Sequence, residues 1–521
     1  MDRSIGSSLD VAPAMLERRD SWLDRATTGA VVGVAAWVVA CVIVVPLLGG
    51  HGAQWDAVGL RSAFPALVGW MFLGFVLGAI ANAVIASGRL PRRRSGATAP
   101  VRARIVIVGG GFAGLSTASA LEHTYTLDRG IEITLVSDTN ALLFTPMLAE
   151  VAGGSLEPAH IGSPLRTALR QTMFVRGRVT ALDVRRRVVV VGDRELPYDH
   201  LVIALGAVSR YLGLTNVERH ALDFKTLHDA MAVRDRVVEM FERADGQPPS
   251  DERRNLLTFV VAGGGFAGAE LAGALNDFAR GILADYPTLG EGDVSVVVVN
   301  ARDRILPELS ASLAAYALAR MRARGVRFVL SARVKDASAT SVTLDTGEVV
   351  GAATLVWTAG TAPNPLVATF GLPCDKRGAL EVSLALAVRD HPGIWALGDC
   401  AGVSDARTKQ PCPPTAQFAI REASTVAENI RRTLDGVPLR DFQFTSLGAL
   451  CVVGFQTACA ELSIPFSSKS VRFSGFFAWL MWRGIYLAKL PGRERKLRVL
   501  IDWTIEVFFP RDIVQTAEST P

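Results

Sequence analysis

The sequence predicts an α/β fold with two Rossmann-type domains, and three observations support this fold class. A short run of apolar β-branched residues, Ile105–Val108, leads directly into closely spaced glycines and then into small and apolar residues typical of a packed helix. The same strand, glycine and helix pattern returns at Leu256–Ala272. Long uncharged segments precede the first copy, and an aromatic, basic segment follows the second. The chain of 521 residues is long enough for roughly two or three domains.

The first glycine motif has the spacing GxGxxG at Gly109, Gly111 and Gly114. In a strand–turn–helix unit the first glycine permits a tight turn, the second lets the backbone approach a pyrophosphate, and the third lets helix and strand pack closely. The helix that follows offers unpaired N–H groups and a partial positive charge at its N-terminus. The motif therefore predicts a dinucleotide-binding domain.

The second glycine motif repeats the first in register at Gly263, Gly265 and Gly268. Two dinucleotide-binding domains in one chain indicate two dinucleotides held against each other. We expect FAD in the first domain and a nicotinamide dinucleotide, NADH or NADPH, in the second. A duplicated fold that binds no ligand is the structural alternative.

The composition favours contact with a membrane. Half of the residues (50%) are hydrophobic, the mean hydropathy is +0.29 and the net charge is +5. A positive charge suits nucleic acid or an anionic membrane surface, and the sequence contains no RNA-binding, helix-turn-helix or zinc motif. The six cysteines form no CxxC pair and indicate reduced thiols in a cytosolic compartment. We propose no metal site.

The region before the first motif predicts a transmembrane hairpin at residues 26–88, between an N-terminal segment (1–25) and an Arg-rich linker (89–103). Gly29–Leu48 and Ser62–Gly88 are uncharged, and each is about as long as a membrane-spanning helix. The short loop between them contains Asp56 and a single arginine, Arg61. The arginines of the linker place the catalytic region on the cytoplasmic side of the cytoplasmic membrane. The spans lack the charged residues typical of ion translocation, so the hairpin is predicted to be an anchor.

We expect the FAD-binding domain to comprise residues 104–245 and 366–460. Its second strand ends at Ser137, where an acidic residue that binds the ribose is expected, and Asp138 follows one position later. We assign Asp138 to the ribose hydroxyls. Gly206 follows the strand Leu201–Leu205, where the chain passes near the cofactor.

The nicotinamide-binding domain is predicted to span residues 255–365. Its ribose-binding strand ends at Asn300 rather than at an acidic residue, and Arg302 and Arg304 follow closely. An acid would favour NADH, whereas arginines can accommodate the 2′-phosphate of NADPH, so the preference stays open. Gly360 lies where this domain ends.

The C-terminal region, residues 461–521, predicts amphipathic membrane-associating helices. The uncharged stretch Phe473–Trp482 is too short to span a membrane. Further on, Leu500, Trp503 and Val507 face one side of a helix, and Arg498, Asp502 and Glu506 face another. This pattern is typical of a helix in a membrane interface. A helix packed on its own domain or on a dimer partner is the alternative.

The sequence resembles the type II NADH:quinone oxidoreductases over residues 104 to about 512. The resemblance rests on ordered motifs: two copies of GGGFAG, then LLFTPMLAEVAGG, YDHLVIALG, RILPEL, VWTAGTAPNP, GDCA, PPTAQFA and FFPRDI. It implies that Asp399 binds the phosphate–ribityl chain of FAD and that Glu270 lies beside the nicotinamide. It also implies that Ala416 and Gln417 lie by the flavin ring and form the quinone site. Arg421 and Glu422 replace the second glutamine of the family motif, which leaves the quinone undefined.

The resemblance implies an enzyme that transfers a hydride from the nicotinamide to FAD and then electrons to a membrane quinone, without pumping protons. Cofactors perform this chemistry, and the protein positions them. We expect Glu270 and Gln417 to be the catalytic residues and Arg421 to line the quinone site. Membrane lipid and quinone are the expected partners, and a homodimer is left open.

The positions of the cysteines argue against two related classes of enzyme. Disulfide reductases carry a cysteine pair soon after the first glycine motif, and this chain has no cysteine between Cys41 and Cys374. Sulfide:quinone oxidoreductases also use a pair, which Cys400 and Cys412 are badly placed to supply. A reductase with another acceptor, a sulfide:quinone oxidoreductase and a flavin-bound membrane redox sensor remain as alternatives.

Overall fold

The structure is a computed structural model that describes residues 22–48, 57–86, 100–126, 128, 130–464 and 469–515. Most of the predicted N-terminal segment and of the Arg-rich linker therefore lies outside the described residues. Two parallel sheets, a small C-terminal module and an N-terminal helical hairpin make up the described fold.

The first sheet carries the first glycine motif and contains five parallel strands. Their spatial order is Ile394–Ala396, His200–Ile203, Ala103–Val108, Ile131–Ser137 and Met173–Arg176. Alternate side chains of the central strand enter different hydrophobic clusters: Ile105 and Ile107 in one, Val106 and Val108 in the other. Both faces are thus covered, as the uninterrupted apolar run requires. The edge strand near residue 395 is where the chain returns to this sheet.

The second sheet repeats this arrangement around the second glycine motif. Its order is Ala221–Asp223, Thr354–Trp357, Thr258–Ala262, Ser295–Asn300 and Val326–Leu330, again all parallel. The first of these strands, Ala221–Asp223, comes before the second glycine motif in the sequence and pairs with Thr354–Trp357, which comes after it. The segment 221–223, which the sequence analysis places in the first domain, is therefore an edge strand of the second sheet.

Smaller sheets connect and extend the two units. Antiparallel three-stranded sheets are formed by Val179–Asp183, Val188–Val191 and Arg194–Pro197, and by Val334–Ala337, Ser341–Leu344 and Val349–Gly351. Two-stranded pairs are formed by Ala141–Leu143 with Gly162–Pro164, and by Ala207–Ser209 with Thr361–Pro363. The second of these pairs joins the two units, because each strand directly follows one of the large parallel sheets.

Helices pack on the sheets and between them. Two of them begin at the glycine motifs, and we call Phe112–Thr124 the first glycine helix and Phe266–Ile282 the second glycine helix. The other α-helices of the catalytic region are Leu148–Ala152, Leu165–Ala168, Thr215–His220, Leu227–Asp245, Asp251–Leu256, Ala311–Ala323 and Ala416–Leu434.

The C-terminal module combines an antiparallel sheet with two helices. The strands are Gly448–Val452, Ala458–Ser463 and Ser470–Gly475. We call Phe476–Lys489 the penultimate helix and Arg493–Phe508 the last helix of the described chain. Most of the predicted uncharged stretch, from residue 476 on, thus lies in the penultimate helix, whose Phe476, Trp479 and Trp482 are buried against the protein.

The last helix is amphipathic, but its faces differ from those that the sequence predicts. The sequence predicts that Leu500, Trp503 and Val507 share one face. Leu500 and Trp503 are both buried in the protein, whereas Val507 is half exposed. Asp502 and Glu506, which the sequence places on the other face of the helix, both contact the protein: Asp502 is hydrogen-bonded to Nδ1 of His160 at 2.6 Å, and Glu506 forms an ion pair with Arg483 at 2.6 Å. Periodicity groups residues onto a face but does not show which face the protein buries.

Two helical segments form where the hairpin is predicted. The first consists of an α-helix, a π-helix and a short α-helix, at Trp22–Trp37, Val38–Val44 and Val45–Leu48, and the second is the α-helix Ala57–Ala86. Their backbones pack closely, since a Cβ atom added at Gly29 would overlap the carbonyl oxygen of Gly74, and one at Gly33 that of Trp70. The indole N–H of Trp37 donates to the carbonyl oxygen of Ala63 at 2.8 Å.

The hairpin packs on the C-terminal module, and the described residues do not support the prediction of two transmembrane helices. Phe64 contacts Phe476 and Trp479, with ring centroids 5.9 Å and 6.4 Å apart. Among the residues that the structure describes, no helix combines the length and the hydropathy needed to cross a bilayer. In the first predicted span the α-helix ends at Trp37 and a π-helix follows. The structure therefore describes a helical hairpin packed on the catalytic region.

Candidate functional site

The first glycine turn has the geometry that close approach of a phosphate requires. Gly109 has a φ of 113°, which side chains rarely adopt, and a Cβ at Gly114 would overlap the carbonyl oxygen of Gly109. Gly111 caps the first glycine helix, is exposed, and would have no atom within 4 Å of an added Cβ. The turn therefore presents open backbone and a helix N-terminus, which fits a pyrophosphate.

The second glycine turn reproduces this geometry. Gly263 has a φ of 115°, and a Cβ at Gly268 would overlap its carbonyl oxygen. Gly265 caps the second glycine helix, and the nearest atom to an added Cβ would be Oε1 of Glu308 at 3.6 Å. The two turns have equivalent geometry, one in each parallel sheet, and the second fits a phosphate as the first does.

The two residues assigned to the riboses differ in their contacts. Asp138 is exposed directly after the strand that ends at the buried Ser137. Asn300 is buried and bonded to the backbone: its Oδ1 accepts from the Gly264 N–H at 3.1 Å, and its Nδ2 donates to the carbonyl oxygens of Arg302 and Arg304 at 3.0 Å each. Asn300 thus holds the glycine turn and the following loop together, and its contact with a ribose stays a prediction.

Gly206 and Gly360 lie at opposite ends of the antiparallel pair that joins the two units, because each directly precedes one of its strands. Gly206 has a φ of 66°, and its carbonyl oxygen accepts from the N–H of Asn364 at 3.0 Å. The carbonyl oxygen of Gly360 accepts from the N–H of Arg210 at 3.1 Å. Both predicted cofactor positions are therefore at the crossing between the domains.

Asp399 lies near a cation that the sequence analysis does not identify. Burial raises the pKa of Asp399, and the ammonium group of Lys225 opposes this rise. Burial in turn lowers the pKa of Lys225, whose Nζ donates to the carbonyl oxygen of Ala207 at 3.3 Å. Lys225 comes from the second sheet's side of the chain, so no local sequence pattern links it to Asp399.

Ala416 and Gln417 begin the helix Ala416–Leu434 at the edge of the first unit. Oε1 of Gln417 accepts from the hydroxyl of Ser446 and from the N–H of Leu447, each at 3.1 Å. These two hydrogen bonds fix the orientation of the side-chain amide, so Nε2 points away from Ser446 and Leu447. The predicted quinone residue therefore has a defined orientation.

The two residues that replace the family's second glutamine have separate roles. Arg421 lies over the ring of Phe444, 5.4 Å from its centroid, and burial lowers the pKa of its guanidinium. Glu422 is buried and accepts from the N–H of Gly398 at 2.7 Å. Burial raises the pKa of Glu422 to about 7. Glu422 thus connects this helix to the segment that carries Asp399.

Glu270 lies where the second glycine helix meets the C-terminal module. Its Oε1 accepts from the N–H of Val452 at 3.3 Å, and part of its surface remains accessible. Burial of the carboxyl group raises the pKa of Glu270 to about 8. The hydrogen bond from Val452 opposes this rise in pKa, and the negative charge of Glu150 adds to it. Trp482 and Tyr486 of the penultimate helix lie beside it.

An aromatic row connects this carboxyl group to the first glycine motif. Ring centroids are 5.8 Å apart between Phe112 and Phe144, 6.1 Å between Phe144 and Tyr486, and 4.8 Å between Tyr486 and Trp482. Sequence reasoning assigned none of these four a role, although Phe144 lies within a motif that carries the resemblance. The row places the two glycine helices on one site.

The cysteines are described as free thiols. Cys400 is buried, its Sγ contacts the carbonyl oxygens of Ile203 and Leu397, and burial raises its pKa to about 12. Cys451 and Cys459 lie opposite each other on neighbouring strands, a proximity that their spacing did not indicate. Cys400 is therefore a core thiol.

Two protein-family models match the chain. The pyridine nucleotide-disulphide oxidoreductase model matches residues 103–423, and the NDH2 C-terminal domain model matches residues 447–512. The first covers both parallel sheets, and the second covers the C-terminal module.

Relatives and solved structures agree with these matches. The chain is 31% identical to the type II NADH:quinone oxidoreductase Ndh of Mycobacterium tuberculosis over 80% of this chain and 90% of the relative. It is 30% identical to the demethylphylloquinone reductase NdbB of Synechocystis over 77% of this chain and 96% of the relative. The fold matches NDH2 from Plasmodium falciparum in complex with NADH with a TM-score of 0.72 at 18% identity, covering 79% and 100% of the two chains.

The resemblance that the motifs indicated is thus confirmed. The chain belongs to the type II NADH:quinone oxidoreductases, flavoenzymes of the pyridine nucleotide-disulphide oxidoreductase family.

Proposed function

We propose that the chain transfers a hydride from NADH at the second glycine turn to FAD at the first, and then electrons to a membrane quinone, without pumping protons. The observation that carries this proposal is the pair of open glycine turns, whose helices are connected by the aromatic row that ends beside Glu270. The relatives' names support NADH as donor and a quinone as acceptor.

The residues described here would bind and orient the two cofactors. The backbone at Gly111 and Asp399 would hold FAD, and the backbone at Gly265 would hold the nicotinamide dinucleotide. When bound, FAD supplies the chemistry of accepting a hydride and returning two electrons. We favour NADH over NADPH because two relatives at 31% identity are named NADH:quinone oxidoreductases.

Gln417 would orient the quinone. Since its Oε1 already accepts two hydrogen bonds, its Nε2 is the group that can donate to a quinone carbonyl oxygen. Ala416 leaves room beside it, and Arg421 would bound the site on the side of Phe444.

Glu270 would supply the second proton that quinone reduction requires. Reduction of a quinone to a quinol consumes two electrons and two protons, and the hydride carries both electrons but only one proton. Because the pKa of Glu270 is about 8, its carboxyl group is largely protonated at neutral pH and can donate from its Oε atoms.

The last helix would contact a lipid surface through its outer face. Ile501, Ile505 and Phe508 recur at helical spacing and are exposed by 48%, 49% and 71%. Phe72, Leu73 and Leu77 of the hairpin are also exposed. Exposure of such apolar side chains to water is unfavourable, and contact with lipid would relieve it. The membrane quinone that we propose as substrate resides in the same bilayer. The cytoplasmic orientation and the homodimer stay predictions.

The two glycine turns predict opposite phenotypes for the same substitution. Gly111→Val should fold, since an added Cβ atom would have no neighbouring atom within 4 Å, but it should be purified colourless because the side chain blocks the pyrophosphate of FAD. Gly265→Val should retain its flavin spectrum and lose reduction of the flavin by NADH in anaerobic stopped flow. A yellow Gly111→Val protein would contradict the assignment of FAD to the first turn.

The quinone site predicts a separation of the two half-reactions. Gln417→Ala should leave the reduction of the flavin by NADH unchanged and slow its reoxidation by a quinone about tenfold, the cost of one lost hydrogen bond. Gln410→Ala, an exposed position on the preceding loop, is the matched control. Normal reoxidation of the Gln417→Ala protein would remove this residue from the quinone site.

The outer face of the last helix predicts a loss of lipid binding. The Ile501→Ser/Ile505→Ser variant should bind phosphatidylglycerol vesicles at least about tenfold more weakly in cosedimentation, because two apolar side chains no longer enter the lipid. Met173→Ser/Val349→Ser, at exposed apolar positions elsewhere, is the control. If both variants bind like the parent protein, another surface holds the membrane.

A further inference from the structure

A network of four charged side chains includes Glu150, whose short helix Leu148–Ala152 packs on the second glycine helix that carries Glu270. A Cβ atom added at Gly153, where the short helix ends, would lie 3.0 Å from the Cβ atom of Ala274. Nη2 of Arg483, on the penultimate helix, is 2.6 Å from Oε2 of Glu506 and 3.6 Å from Oε1 of Glu150. Nη2 of Arg511 is 3.2 Å from Oε1 of Glu506. None of the four side chains is more than 14% exposed. The network joins a short helix of the first unit to both helices of the C-terminal module.

Two tryptophans hold the Arg483 guanidinium in place. Its Cζ is 4.1 Å from the ring centroid of Trp479 and 4.6 Å from that of Trp503. The indole N–H of Trp503 also donates to Oε2 of Glu150 at 3.2 Å. The two rings exclude water from the guanidinium, so its attraction for the two carboxylates is stronger than at the surface.

The charges of the network balance when both of its carboxyl groups are ionised. Arg483 and Arg511 carry two positive charges, and Glu150 and Glu506 carry two negative charges. The hydroxyl of Ser155 donates to Glu506 at 2.8 Å and favours its ionised form. Glu270 stands beside this balanced set without a cation among the groups that act on it.

We propose that Arg483 is a positioning residue that favours the ionised form of Glu150 near Glu270, and that the negative charge of Glu150 thereby favours a proton on Glu270 for the reduction of quinone. The inference deepens the proposed function and rests on it. Arg483 acts on the reaction through Glu150 and touches neither cofactor nor substrate in this role.

The neighbours of the two carboxyl groups determine the sign of the effect. Burial raises the pKa of Glu150 to about 7, and Arg483 lowers it against the opposing charge of Glu506, with smaller contributions from Trp503 and Arg511. Loss of Arg483 therefore raises the pKa of Glu150 further and shifts this carboxyl group toward its neutral form at pH 7.

Glu270 then loses the charge that favours its protonated form. The groups that act on it are Glu150, which raises its pKa, and the Val452 N–H and Trp482, which lower it. Tyr486 and Cys451 face it as neutral groups, since burial raises both of their pKa values. Without the charge of Glu150, the pKa of Glu270 falls.

The test is a pH titration of the protonated carboxyl band in the infrared spectrum of the oxidised holoenzyme, with the band of Glu270 identified by its loss in Glu270→Gln. Arg483→Met and Glu150→Gln should each shift this titration to lower pH, on the order of one pH unit. The double variant should shift it no further, because both changes remove the same charge. Arg483→Lys should restore most of the parent titration.

Kinetics give the second readout. In Arg483→Met and Glu150→Gln, the pH profile for reoxidation of the flavin by quinone should shift to lower pH by the same amount, while reduction by NADH stays unchanged. Arg472→Met, at an exposed ion pair of the same module, is the matched control and should shift nothing.

Two outcomes would overturn the proposal: an unshifted Glu270 titration in Glu150→Gln, or additive shifts in the double variant. If the Arg483→Met protein does not fold with FAD, the Glu270 titration in the isosteric Glu150→Gln variant is sufficient to test the proposal. A shifted titration in an enzyme that does not reduce quinone would support the charge network and contradict the proposed function, so the two failures are distinguishable.

Discussion

The whole site depends on one backbone constraint: a parallel strand must pass into a helix within a few residues. Gly109 and Gly263 meet this constraint with left-handed φ angles, and Gly114 and Gly268 allow each helix to touch the turn. Larger side chains would push the helix away from the sheet. Because both turns are built alike, each helix N-terminus is presented as an open phosphate cradle at its sheet.

The C-terminal module brings these two cradles to one site. Its penultimate helix contributes Tyr486 to the aromatic row of the first unit and Trp482 to the surroundings of Glu270 in the second. Arg483 lies on the same helix and ties the module to Glu150. The Arg483–Glu150 pair that ties the module to the first unit thus includes the negative charge that raises the pKa of the proposed proton donor, which links docking to the proposed catalysis. The hairpin packs on Trp479, which covers Arg483, and so extends this link beyond the family's matched regions.

Much of the fold and some of the site could be predicted from the sequence, because glycine turns and buried parallel strands are local features. Glu270 and Gln417 were identified by resemblance, and their roles stay predictions. The pairing of Glu150 with Arg483 has no local signal, since tertiary packing alone brings these residues together. Periodicity placed Asp502 and Glu506 on one helix face but could not show that they face His160 and Arg483. The uncharged segments similarly predicted two helices, but not that they pack on the catalytic region.

The most direct test of the central claim is anaerobic stopped flow with the purified parent protein. NADH should bleach the flavin absorbance fully, and subsequent mixing with a quinone should restore it in a second phase whose rate rises with quinone concentration. This result would show that the protein passes electrons from NADH through its flavin to a quinone. A flavin that NADH does not reduce, or a reduced flavin whose reoxidation is independent of quinone, would contradict the account.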